Sequence, residues 1–412
     1  LYEMRPVKPT PAHKTDHCAE LVCSNSLGNN QSPSAPHLLK EELRKFNSLV
    51  IDAGDTHAVP AGAALAVDRE LFSKKITEQL LKHPNITLIR EEVTEIPSEG
   101  PVIVATGPLT SPRLSESISR LIGQEYLYFY DAISPIVDAN TIDYDKTFFA
   151  SRYDKGADDY LNCPLNEGQY YSLVNELKNG EKVPFKSFEK SIYFEGCMPI
   201  EELAMRGDKT LAFGPLKPVG LLHPETKEQF YAVVQLRHEN KEGTAFNLVG
   251  FQTKLTYPEQ KRVIRLIPGL ENVEFFRFGA IHRNTYINAP DVLSCELDLK
   301  KNSGIYFAGQ IIGVEGYVES VSMGLLAALS AVKRIKGEVY SIPPVDTALG
   351  SLLKYVTETR RQSFQPMNIN YGLFQVQEMK IRNKRERNKK IELKSLYSLS
   401  QWMETINGEL VK

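Results

Sequence analysis

The sequence predicts an α/β fold in which a Rossmann-like dinucleotide-binding domain is interrupted by an inserted α+β domain. Short apolar runs alternate with helical periodicities over residues 1–109. Aromatic segments broken by Pro and Gly replace that texture over 110–295, and strand–glycine–helix alternation returns over 296–412. Buried strands alternating with helices mark a largely parallel sheet, and the resumption after a long interval makes the middle segment an insertion. With 412 residues the chain exceeds the size at which one core stops growing, so two domains are expected.

Leu1-Tyr2-Glu3-Met4-Arg5-Pro6 reads as the end of a strand. In dinucleotide folds the second strand ends in an acid that hydrogen-bonds ribose hydroxyls, roughly 20 residues after the glycine fingerprint. Glu3 suits that role. The fingerprint is then expected upstream of residue 1, and a chain beginning at Leu1 is expected to hold a flavin poorly. Leu39, Leu43, Phe46 and Val50 recur at helical spacing, residues 54–62 read as a loop, and Asp68 is placed to cap a helix over about 69–82. Ile86 to Ile89 and Val102 to Ala105 read as strands, the second ending in Thr106-Gly107-Pro108. Strand character recurs at Tyr231 to Leu236 and Val273 to Phe278. Gly304 to Ala308 gives a further strand, followed by Gly309, Gln310, Gly313 and Gly316. A long helix follows, with Val318, Val321, Leu325, Leu329 and Val332 on one face and Gly337 as its stop.

Composition narrows the function classes. Lys plus Arg number 49 against 51 Asp plus Glu, a net charge of −2, which excludes general coating of nucleic acid and leaves room for a local basic patch. Residues 380–394 supply one candidate, with eight basic residues and two acidic ones; a phosphate-contacting patch and a solvated helix face both fit. No apolar run approaches the ~20 residues of a membrane span. The five cysteines, at 18, 23, 163, 197 and 295, form no CxxC pair and no zinc-finger spacing, so neither a disulfide scaffold nor a metal site is expected. Reduced thiols in a cytoplasm fit best, and one is free to act as a nucleophile.

The Gly-rich turn from Ala308 to Tyr317, between a buried strand and a helix, presents backbone N–H groups and the positive end of a helix dipole. A flavin uses such a site for the negative charge at its pyrimidine edge. Glu3, then Ala105-Thr106-Gly107, then Ala308-Gly309-Gln310, in that order, point to FAD.

The chain resembles the TrmFO family along its whole length. The resemblance rests on Leu1 to Pro6, Ala19-Glu20-Leu21-Val22-Cys23-Ser24-Asn25-Ser26-Leu27, Val59 to Gly62, Ala66-Val67-Asp68-Arg69 and Tyr153 to Gly156. It continues through Phe194-Glu195-Gly196-Cys197-Met198-Pro199-Ile200-Glu201, Phe213 to Gly220, His282 to Thr285, Gly313 to Ser320 and Phe364 to Asn368. A larger relative, the GidA family, shares the late Ala-Gly-Gln region.

The resemblance implies a two-dinucleotide-fold flavoprotein related to GidA, with FAD held by Glu3, Arg5, Ala105, Thr106, Gly107, Gly309, Gln310, Gly313 and Gly316. It implies methylation of carbon 5 of a uridine in the tRNA T-loop, with methylenetetrahydrofolate as one-carbon donor, reduced FAD as electron source and NAD(P)H as reductant. The same chemistry on ribosomal RNA, or a silent flavoprotein or RNA-binding module, are the competing readings.

Carbon 5 of uracil is a poor nucleophile until a thiolate adds at carbon 6, and cysteine suits that step because sulfur is intrinsically nucleophilic. By the resemblance Cys197 is the nucleophile and Cys23, beside the flavin, is the base. Cys163 reads as structural, Cys18 and Cys295 as incidental. His282 and Arg283 are expected either to contact folate or RNA phosphate or, for the histidine, to sit hydrogen-bonded in the core. Where the family usually has Arg-Ser-Asn after Leu27, this chain has Gly28-Asn29-Asn30, which puts RNA docking or target choice in doubt.

Overall fold

The computed structural model describes residues 1–412 except 11, 99, 125–126, 155–156, 185–192, 194–197, 360–363, 376–380 and 411–412. Two buried cores organise it. The first draws residues from Leu21 to Ile122 and again from Tyr286 to Ile406; the second runs from Val137 to Val273.

The first core is layered around short parallel pairs. Tyr2–Glu3 lies parallel to Ile89–Arg90, and Val102–Val104 lies parallel to Asn302–Phe307, which Asp298–Leu299 flanks on its other side. Helices cover these strands, and their starts follow from local chemistry. The Asp68 carboxylate accepts the N–H groups of Glu70 (3.1 Å) and Leu71 (3.0 Å), so the helix Arg69–Lys82 starts where the sequence places it. Ser34 caps Ala35–Lys45, and Ser111 with Pro112 starts Pro112–Ile122, which Gly123 stops in the left-handed conformation at φ +68°.

The second core is a six-stranded antiparallel sheet in the order Phe275–Arg277, Ile136–Asp138, Ala245–Leu248, Ala232–His238, Tyr160–Leu165 and Phe148–Phe149. The helix Glu167–Asn179, started by an Asn166–Gln169 capping box, packs on it. Leu127–Ala132 pairs antiparallel with Ile281–Tyr286, a two-stranded stem through which the chain leaves the first core and returns.

Three expectations are corrected. Residues 49–56 are helical where a loop was expected to begin at 54. A Cβ on Gly54 would lie 2.9 Å from Leu27 Cδ1, so this glycine serves close helix packing and not a turn. The run at 86–89 pairs only at Ile89–Arg90. The helix Tyr317–Ile335 buries Val318, Ser322, Met323, Leu326, Ala327, Ser330 and Ala331, whereas Val332 is exposed. Val321, Leu325 and Leu329 of the expected stripe pack on the core partly buried, and the small side chains beside them let the helices Ala35–Lys45 and Ala348–Glu358 approach closely.

The C-terminal helix Lys384–Leu410 is tied in by a buried carboxylate. Glu42 accepts the N–H groups of Ala348 (2.7 Å) and Leu349 (2.9 Å) and the hydroxyl of Ser395 (2.6 Å). A carboxylate at a helix N-terminus satisfies donors the helix cannot, and here it joins three helices. Among the described residues no helix is long and apolar enough to cross a membrane, and no cluster of His, Cys, Asp or Glu could hold a metal ion.

Candidate active site

Two loops meet at the carboxyl ends of the central parallel pair. Val104 stands in register with Phe307, and the Ala308 N–H donates to Val104 O at 3.0 Å. Ala105-Thr106-Gly107 and Gly309-Gln310 therefore leave the sheet side by side, the place where open α/β sheets bind ligands. Ala105 and Thr106 are exposed. Gly309 adopts φ +79° and ψ −158°, a region essentially confined to glycine. Gly316 has φ +113° and opens the Tyr317–Ile335 helix without a side-chain cap. First-turn N–H groups of this long helix are thus oriented for an anionic edge.

Carboxyls line the same turn. Gln310 Nε2 donates to Glu315 Oε2 at 2.6 Å, and Asn368 Nδ2 donates to the Glu315 carbonyl at 2.6 Å. Burial, with Asp131 nearby, drives the Glu315 carboxyl well above the usual carboxylate range.

Glu3 and Arg5 are brought together. The Glu3 carboxylate accepts from Arg5 N (2.9 Å), Nε (3.0 Å) and Nη2 (3.1 Å), while Arg5 Nη1 reaches Glu20 at 3.0 Å. Burial pushes the Glu3 carboxyl up, but the Arg5 hydrogen bonds and charge outweigh it and hold Glu3 ionised. Arg5 is buried, so its role here is to fix the acid rather than to reach solvent.

Cys23 stands in a loop whose backbone is held by side chains. Its N–H donates to Tyr317 Oη at 2.9 Å, its carbonyl accepts from Arg69 Nη2 at 2.9 Å, and Val22 O accepts from Arg277 Nη2 at 2.8 Å. Arg69 also bonds Leu21 O and pairs with Glu239. Burial pushes the Tyr317 phenol far up, as does the neighbouring Cys23, so it stays protonated. The thiol-bearing loop, the start of the Gly316–Tyr317 helix and the edge of the antiparallel sheet converge here.

His282 stands opposite Asp131 on the stem, and its Nε2 is buried without a hydrogen-bond partner among the described residues. Burial, with Arg277 close by, holds its pKa down at about 4, so the imidazole is neutral and offers hydrogen bonding without charge. Only the backbone of Arg283 is described. Cys163 is fully buried, its thiol pushed up by burial; Cys18 is buried and Cys295 exposed. Cys197 lies outside the described residues. Of its neighbours, Tyr193 bridges Tyr130 of the stem and accepts from Lys254 Nζ at 2.8 Å, and the Ile200 N–H donates to Gln252 O at 2.7 Å.

Sequence reasoning missed Arg69, Arg237, Arg277, Glu239 and the Tyr317 hydroxyl. Arg69 lies in the Ala66–Arg69 motif directly after the helix cap, which was the one local signal. Arg237 and Arg277 sit in strands 212 and 255 residues from the loop positions they hold, and spacing carries no trace of that.

Comparison with known proteins agrees with this architecture. Residues 2–339 match the family described as glucose inhibited division protein A. Two solved forms of GidA from Aquifex aeolicus superpose with TM-scores of 0.67 and 0.68 at 17% identity, over 94% of this chain and 67% and 70% of theirs. That likeness speaks for the fold. The chain is 55% identical over 404 residues to the methylenetetrahydrofolate--tRNA-(uracil-5-)-methyltransferase TrmFO of Natranaerobius thermophilus, over 98% of this chain and 93% of that protein. With the Bacillus subtilis protein of the same name it shares 53% identity over 406 residues, again 98% and 93% of the two chains. By sequence and by fold, this chain belongs to the TrmFO family within the wider glucose inhibited division protein A group.

Proposed function

We propose that this chain methylates carbon 5 of a uridine in the tRNA T-loop, with methylenetetrahydrofolate as one-carbon donor, Cys197 as nucleophile and Cys23 as base. FAD is the resident cofactor of this reading. When bound, it supplies the reducing equivalents that turn the transferred methylene into a methyl group, and NAD(P)H is the reductant that restores it. The residues fit a flavin. Gly309 takes a conformation other residues avoid, and the uncapped helix start at Gly316 offers N–H groups to the negative pyrimidine edge. Glu3, fixed by Arg5, is held ionised to accept ribose hydroxyls.

The protein's own groups then have separate tasks. The Cys197 thiolate forms a bond to carbon 6 of uracil, and the displaced π electrons make carbon 5 nucleophilic. Once carbon 5 has taken the one-carbon unit, Cys23 removes its proton, and the electron pair left on carbon 5 expels tetrahydrofolate from that unit, which then takes up the reducing equivalents. Loss of the Cys197 sulfur from carbon 6 restores the ring. The observation that carries this reading is the Cys23 N–H bond to Tyr317 Oη, which places the thiol loop on the helix start assigned to the flavin. The basic start of the C-terminal helix serves as an RNA contact.

A tRNA carrying 5-fluorouridine at the target tests the roles, because fluorine blocks the proton loss and leaves the carbon 6 bond in place. A covalent complex is expected with the parent chain and with Cys23→Ala, and none with Cys197→Ala. A complex that survives in Cys197→Ala and disappears in Cys23→Ala would exchange the two roles.

A further inference from the structure

We infer that Arg237, on the antiparallel sheet of the second core, is a positioning residue that sets the Cys23 loop; this rests on the reading of Cys23 as the base. The loop from Leu21 to Asn25 belongs to no strand or helix, so its backbone polar groups must find partners elsewhere. The Asn25 carbonyl accepts the Val67 N–H at 2.9 Å, and the rest that are paired find side chains. Leu21 O, Val22 O, Cys23 O and Cys23 N–H are met by Arg69, Arg277, Arg69 and Tyr317.

Asn25, fully buried, is the hinge of this arrangement. Its Nδ2 donates to Val67 O of the first core and to His238 O of the second, both at 3.0 Å. Its Oδ1 accepts from Arg237 Nε at 3.1 Å and Nη2 at 2.8 Å, and Arg237 Nη2 also donates to Ser24 Oγ at 2.8 Å. Arg237 therefore grips the two residues that follow the thiol, and does so from the other core. Glu239, two residues along the same strand direction, pairs with Arg69, which in turn holds Cys23 O. The strand that carries Arg237 thus reaches both sides of Cys23. A buried guanidinium with planar, directed donors fixes orientation as well as distance. The loop carrying the thiol is thus held by groups from both cores.

The test follows Cys23 alkylation by iodoacetamide in the intact chain, read by mass spectrometry of its peptide, with exposed Cys295 as reference and buried Cys163 as reporter of sheet opening. Arg237→Gln is expected to raise the Cys23 rate relative to Cys295 by about tenfold, the scale of losing one charge-assisted hydrogen bond. Arg237→Lys, which keeps one donor for Asn25, is expected to lie between. Asn25→Ala should raise the Cys23 rate similarly without touching Cys163, and the double variant should be no faster than the faster single one. Turnover should fall in Arg237→Gln while KM for tRNA holds. An unchanged Cys23 rate in Arg237→Gln or Asn25→Ala overturns the assignment whatever turnover does. If Cys163 also becomes reactive in Arg237→Gln, Asn25→Ala alone decides by the same criterion. A faster Cys23 with full turnover upholds the positioning and removes Cys23 from the chemistry, which separates the two claims.

Discussion

The Tyr317 hydroxyl accepts the backbone N–H of Cys23 at 2.9 Å across 294 residues of sequence. Tyr317 is the first residue of a 19-residue helix whose start we propose for the flavin's pyrimidine edge, and on that proposal one hydrogen bond couples thiol placement to cofactor placement. Tyr317→Phe removes the acceptor and leaves a partly buried N–H unpaired, at a cost of roughly 1–3 kcal/mol that the loop avoids by moving. Turnover should fall about tenfold with tRNA affinity unaltered. Single-turnover rates beside filter-binding affinities check this, and full turnover in Tyr317→Phe would break the coupling.

Glu42 gives the fold a pH signature. Burial raises its carboxyl from the ordinary 4.5 to about 7, against the hydrogen bonds from Ser395, Ala348 and Leu349. Between those values the native state holds a proton that the unfolded chain has released, so this group's contribution is full below pH 4.5 and declines until about pH 7. The loss amounts to roughly 3 kcal/mol at most. Glu42→Gln cannot titrate, so its stability relative to the parent should rise with pH across that window and then level off. Urea unfolding of both proteins at several pH values checks it; a constant difference would contradict the shift.

The basic start of the C-terminal helix divides into paired and unpaired cations. Lys389, Lys390 and Lys394 pair with Glu392, Glu386 and Asp346. Arg382, Lys384, Arg385 and Arg387 are exposed and have no ion-pair partner among the described residues. Reversing Lys384, Arg385 and Arg387 to Glu should weaken tRNA binding and flatten its salt dependence by about one unit of slope for each phosphate that is no longer neutralised. Flavin absorbance should not change. Unaltered affinity and slope would make this segment a solvated helix face.

Glu3 and Arg5 make a narrower prediction. Glu3→Gln keeps the shape but loses the charge that Arg5 fixes, and should weaken flavin binding severalfold while leaving the unfolding midpoint within a few degrees. Fluorescence titration with FAD checks it. Undiminished flavin affinity would leave Glu3 a structural partner of Arg5.

How much was legible in the sequence varies with the range of the interaction. The Asp68 cap and the glycine turn at 309–316 depend on sequence neighbours, and both were readable. The apolar face of the Tyr317–Ile335 helix was read as far as Leu329, for Val318, Val321, Leu325 and Leu329 all pack on the first core; Ser322, Ala327, Ser330 and Ala331 were missed because they are small, a property hydrophobicity does not encode. Gly54 was misread as a turn residue because a helical glycine and a loop glycine look alike until Leu27 is seen against it. The arginine cage around Cys23 was largely invisible. Arg69, Arg237 and Arg277 come from three elements; only Arg69 carried a local signal, its place after the Asp68 cap, and nothing around Arg237 or Arg277 announces a guanidinium turned onto the Cys23 loop. Motif resemblance singled out Cys23; most of the groups that hold its loop came only from the fold.

The most direct test of the whole account follows one carbon atom. Purified protein, an unmodified tRNA transcript, NAD(P)H, FAD and methylenetetrahydrofolate bearing an isotopically labelled methylene carbon are combined, and the tRNA is digested and analysed by mass spectrometry. The account predicts labelled 5-methyluridine in the T-loop fragment, and none when Cys197→Ala replaces the parent. Absence of labelled 5-methyluridine from the tRNA, or its undiminished formation by Cys197→Ala, would contradict it.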